Sequence, residues 1–122
     1  MNETFQRGGD AANRVEPPVT GSAAIGSGAL PWESTETEGF WIKPLLEDAR
    51  AGQKTWLMKI DAGAFAPLHA HEELEQIYVL EGTFYDQDRS YAPGDFIARA
   101  PGAQHTAGSR DGAVVLLIYT AA

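Results

Sequence analysis

The chain has 122 residues and no cysteine, with 9 Lys and Arg against 17 Asp and Glu for a net charge of −8. That length suits one domain with a real core, and the charge repels nucleic-acid and anionic membrane surfaces. Lack of thiols excludes disulfides, zinc fingers, thiolate nucleophiles and iron–sulfur clusters, and no apolar run has the length of a signal peptide or membrane span, so a cytoplasmic protein is expected.

Residues 1–30 are rich in Gly, Ala, Ser and Pro, as in TGSAAIGSGAL at 20–30. They read as a flexible or extended arm outside the core, with one short strand near Asn13–Val15. From residue 31 to residue 122 the character changes. Phe40–Leu46, Lys54–Ile60, Gln76–Leu80, Phe96–Ala100 and Ala113–Thr120 carry the β-branched and aromatic residues of short strands. Turn signals separate them, among them Asp61-Ala62-Gly63, Asp86-Gln87-Asp88, Pro93-Gly94-Asp95, Pro101-Gly102 and Asp111-Gly112. Glu47–Ala51 reads as a hairpin connection ended by Gly52 rather than as a helix. The pattern predicts an all-β fold, a sandwich or barrel, with no internal repeat.

The stretch LHAHEELE, residues 68–75, holds two of the three histidines. On a strand His69 and His71 share a face, and both imidazoles can serve one ion. Glu72–Leu74 reads as a tight connection, after which Glu75 opens the next strand and returns its carboxylate beside them. Nitrogen and oxygen ligands without sulfur suit iron, manganese, nickel, zinc or copper. A His-x-His pair also occurs on ordinary strand surfaces, and Glu72 and Glu73 read as solvated charges.

The spacing Gly63-x5-His69-x-His71-x3-Glu75-x6-Gly82 resembles the first cupin motif at every fixed position. Gly94, Gly102 and His105 keep the offsets of the second motif. Ala100 stands there where Pro is usual, and Ser109 replaces the terminal Asn. The resemblance covers Lys54–Thr120 and implies a double-stranded β-helix, the cupin jelly-roll barrel, with a metal near its mouth. Carried over, His69, His71, Glu75 and His105 would ligate one divalent first-row transition metal ion (Fe, Mn, Ni or Zn). Lys43-Pro44-Leu45, the stretch from Ala51 to Thr55 and Tyr91-x-x-Gly-Asp-Phe96 look most like one subgroup. That subgroup contains the cupin domain of zinc-dependent anti-sigma factors and dioxygenases that cleave acetylacetone. Resemblance implies a homodimer.

Two functions follow as expectations. One is a metal-dependent dioxygenase or related small-molecule enzyme, with Glu75 as both ligand and catalytic base and with no nucleic-acid or membrane partner. The other is a non-enzymatic metal sensor resembling the anti-sigma cupin domain, against which stands the lack of a cysteine-bearing zinc domain. Phe65, Trp56, Ile77, Phe96 and Tyr119 are candidate pocket walls. Gln76 and Tyr78 fall on the opposite face from Glu75. Arg99 turned outward is one of nine scattered cations, the favoured reading; turned inward it could pair with an anionic substrate group.

Overall fold

The structure, a computed structural model, describes residues 16–122. Among the described residues ten strands follow a 3-10 turn at Ser27–Ala29: β1 (Glu33–Ser34), β2 (Phe40–Asp48), β3 (Gln53–Ile60), β4 (Phe65–His69), β5 (Leu74–Gly82), β6 (Phe84–Tyr85), β7 (Ser90–Tyr91), β8 (Phe96–Arg99), β9 (His105–Gly108) and β10 (Ala113–Thr120). All five predicted strands are present, with boundaries shifted by a residue or two. Four short ones, β1, β6, β7 and β9, were not foreseen; β1, β6 and β7 have two residues each, too few for alternation to show. The strand placed near residues 13–15 lies outside the described residues. Residues 16–26 are exposed, and the Lys43 ammonium donates to the Ser27 carbonyl at 2.9 Å.

A six-stranded sheet in the order β1-β2-β3-β10-β5-β8 faces a four-stranded sheet in the order β4-β9-β6-β7, and every pairing is antiparallel. Period-2 alternation places the core. Along β10 every second residue, Ala113, Val115, Leu117 and Tyr119, is buried. These side chains meet Phe40 and Ile42 of β2, Trp56 and Met58 of β3, and Ile77 and Val79 of β5. Ala66, Phe84 and Ala107 close the core from the smaller sheet. The turn at residues 49–52 joins β2 to β3 as a hairpin, as expected.

Candidate metal centre

The barrel mouth collects all three histidines. Gly102 N–H donates to the His71 carbonyl at 2.7 Å, so the turn before β9 pins the connection that follows β4. His69 and His105 are direct partners across β4 and β9. Simple alternation does not account for the pair on the first motif. Ala66 faces the core, yet Leu68, two residues on, is 56% exposed and His69 turns inward. The ladder shifts register between Ala66 and His69, which re-phases the strand. β4 then ends, and His71 lies in the connection, 4% exposed. The two imidazoles converge because of that irregularity rather than because of a regular strand.

The ligating atoms of His69, His71 and His105 all lie within 4.8 Å of one another, a group that could hold a metal ion. Nδ1 of His69 sits 2.8 Å from the Pro67 carbonyl, and Nδ1 of His105 sits 3.2 Å from that of Thr106. A carbonyl only accepts, so each Nδ1 carries the hydrogen and each Nε2 keeps its lone pair. Burial lowers the pKa of all three rings, to about 4 for His71 and about 3 for His105. Neutral imidazoles at pH 7 are the form that binds metal.

Glu75, on β5, is 2% exposed and abuts two of the three rings. Its Oε2 is 3.4 Å from His71 Nε2, and its Oε1 is 3.5 Å from His105 Nε2. Neither contact is an ion pair, since both rings are neutral. Burial raises the Glu75 pKa to about 7, while the Tyr119 hydroxyl and the Arg99 guanidinium pull the other way.

Both ring nitrogens of His71, Nε2 of His105 and Oε1 of Glu75 are buried without a hydrogen-bond partner. Unpartnered buried polar atoms are costly, and Nε2 of His71 and Nε2 of His105 both lie within 3.5 Å of the Glu75 carboxylate. A cation suits this donor set of nitrogen and oxygen, and no sulfur competes for it.

Arg99 corrects the sequence reading. It points inward, 12% exposed, with Nη2 2.9 Å from Asp86 Oδ2 and Nε 3.4 Å from Glu75 Oε1. Pairing of β8 with β5 explains this: Glu75 stands opposite Arg99, Ile77 opposite Ile97 and Tyr78 opposite Phe96. Opposite residues share a face, so Arg99 joins Glu75 inside, and Phe96 joins Tyr78 outside at 58% exposed. Phe96 is therefore not a pocket wall, and neither is Phe65, which is 50% exposed. Ile77 does line the cavity, whereas Trp56 and Tyr119 are buried core, their rings edge-on at 5.7 Å. Tyr119 also lies 5.1 Å from the His71 ring. Gln76 and Tyr78 fall on the face away from Glu75, as expected.

The roles of two residues escaped the sequence reading. Asp86, read only as part of a turn, is buried and accepts four hydrogen bonds, from Asp88 N, Arg89 N, the Tyr91 hydroxyl and Arg99. Ser109, whose place an Asn usually holds in the resembling motif, donates from Oγ to the Thr83 carbonyl at 2.6 Å and accepts from Gly112 N at 2.8 Å. A hydroxyl thus serves the turn, and the departure from the motif leaves it intact.

Below the histidines lies a small cavity of about 20 Å³, lined by Met58, Ile60, Ile77, Phe84, Ala107, Val115 and Leu117, with Glu75, Arg99 and His105 at its polar end.

A family model described as the ChrR cupin-like domain matches residues 20–122. The chain belongs to that family. Among solved structures, an RmlC-like cupin protein from Ralstonia eutropha superposes with a TM-score of 0.74 at 18% identity, over 83% of this chain and 69% of that one. KdgF from a Halomonas species gives 0.66 at 27% identity, over 84% of this chain and 96% of that one. A chain of the Rhodobacter sphaeroides complex of SigE with the anti-sigma ChrR gives 0.65 at 22% identity, over 75% of this cupin chain and 50% of its own length. No curated protein sequence matches significantly. The cupin barrel is thereby established as the fold of this family member, and no helix among its described residues is long and apolar enough to cross a membrane.

Proposed function

We propose that the protein is a metal-dependent small-molecule enzyme of the dioxygenase kind. In this reading His69, His71, His105 and Glu75 hold one divalent first-row transition metal ion, and Glu75 is also the base. The observation that carries it is the mutual convergence of three neutral imidazoles, two of which, His71 and His105, abut the buried Glu75 carboxylate. An ion held there would keep coordination positions open for an enolate and dioxygen together.

The chain's own residues do the rest. Oε1 of Glu75 accepts the proton of an enolisable C–H, and the electron pair stays on the substrate as its enolate. The Tyr119 hydroxyl and Arg99 orient that carboxylate. Apolar walls from β3, β5 and β10 keep bulk water from the reacting atoms.

Metal content of protein purified without a metal-affinity column, followed by oxygen uptake of the iron form with small β-diketones and catechols, tests the reading. Glu75→Gln should retain much of the metal and lose most turnover, because an amide can ligate weakly but cannot serve as a base. No uptake with any substrate, together with a Glu75→Gln variant that behaves as wild type, would overturn catalysis. The second reading, a non-enzymatic metal-sensing module, then takes its place; the match to the ChrR cupin-like family supports it.

The same reading takes the protein to be a cytoplasmic homodimer acting on a small molecule. Support for pairing comes from the outer face of β5 and β8, where Tyr78, Leu80 and Phe96 are exposed together. A monomer at micromolar concentration in analytical ultracentrifugation would exclude it.

A further inference from the structure

Arg99, 12% exposed, is the cation at the mouth among the described residues, and its partners do not use it up. Asp86 takes Nη2 and is itself anchored by two backbone amides and the Tyr91 hydroxyl. Nε is left buried with no hydrogen-bond partner, 3.4 Å from Glu75 Oε1 and at the polar end of the cavity. Its ion-pair neighbour there, Glu75 Oε1, falls short of hydrogen-bonding geometry, so this N–H remains open to a closer oxygen.

Charge narrows the class of that oxygen. Asp86 offsets Arg99, and the other two charges near His71, Lys54 and Glu73, pair with each other at 3.2 Å. With the imidazoles neutral, Glu75 offsets half the charge of a divalent ion. One positive charge is left in a buried site, and a single anion neutralises it. The cavity behind is apolar but only about 20 Å³, hardly more than one water needs, so it admits a terminal methyl group and no long chain.

We propose that Arg99, held in place by Asp86, binds the carboxylate of a short-chain monocarboxylic acid through its Nε–H, with the acid's alkyl end in the apolar cavity. This rests on the metal reading of the site and not on the catalytic one. It makes Arg99 a residue that selects the bound ligand by charge, in a site whose walls select it by size.

Calorimetric titration of the zinc-loaded full chain with propionate and with propionamide tests it, zinc content being measured for every variant. Propionate should bind with one-to-one stoichiometry and propionamide should not. Arg99→Gln should keep its zinc and bind propionate at least roughly tenfold more weakly, the loss expected when one charge-assisted hydrogen bond goes. Equal binding of acid and amide, or an unchanged propionate affinity in Arg99→Gln, overturns the proposal. Zinc lost from Arg99→Gln alone overturns it too, and makes Arg99 a positioning residue for Glu75. Zinc absent from the wild type sinks the metal reading first, a distinguishable failure. Should the Gln variant not fold, Arg99→Lys decides, because Lys has no donor at the Nε place: unchanged affinity overturns the proposal and weakened affinity supports it.

Discussion

Asp86 shows how one side chain in a turn can govern a site strands away. Its carboxylate is buried, and burial alone would raise its pKa. The Tyr91 hydroxyl, the amides of Asp88 and Arg89, and Arg99 instead hold it down to about 2, from an ordinary 3.8. A carboxylate depressed in the folded state contributes stability above its unfolded pKa and loses it as pH falls through the folded one. The window therefore runs from just above pH 4 down to about pH 2, and the amount is about 2 kcal/mol. Urea unfolding across that range should show the wild type losing this much. Asp86→Asn should be less stable at neutral pH and nearly flat over the same window. An equal slope in the variant would remove Asp86 from the account.

At the level of elements, the strands depend on turns that only certain residues can make. Gly82 ends β5 at φ +69°, and a Cβ there would collide with the Gly112 carbonyl. The neighbouring backbone has no room to give, because Thr83 N–H donates to that same carbonyl at 3.3 Å. Gly94 has φ +93° too, but nothing stands within 4 Å of its Cβ position. Both Ala substitutions carry the left-handed strain of roughly 1–3 kcal/mol, and only Gly82→Ala adds a steric conflict with backbone. Gly82→Ala should thus lower the urea midpoint clearly more than Gly94→Ala. Equal losses would show that strain alone matters at both turns. The register shift in β4 is the same kind of device: one irregularity between Ala66 and His69 turns an imidazole, rather than a leucine, toward the mouth.

For the whole molecule, the site and the core share one boundary. Glu75 and Tyr119 are opposite partners on β5 and β10, and Tyr119 packs edge-on against Trp56 of the core. A metal bound only by the folded chain therefore stabilises the entire barrel by mass action. At a free concentration one hundred times the dissociation constant this amounts to about 2.7 kcal/mol, on the order of 10 °C in Tm for a domain of this size. Differential scanning calorimetry should show that gain for the wild type and little of it for His71→Ala. The same upward shift in both proteins would remove His71 from the ligand set.

Composition and alternation were enough for the all-β class, for the strands β2, β3, β5, β8 and β10 and for the buried side of β10, since a period of two needs only local sequence. The spacing around His69, His71, Glu75 and His105 was enough to nominate the site and its resemblance to cupins. Facing of side chains on β8 was not legible. A four-residue strand has two possible faces, and the pairing of Arg99 with Glu75, twenty-four positions apart, chooses between them. Nor did the sequence reveal that Asp86 would reach Arg99. The turn signal is local, whereas its partner arrives from another sheet. Periodicity settles what a strand is, and only tertiary pairing settles which of its residues look into the site.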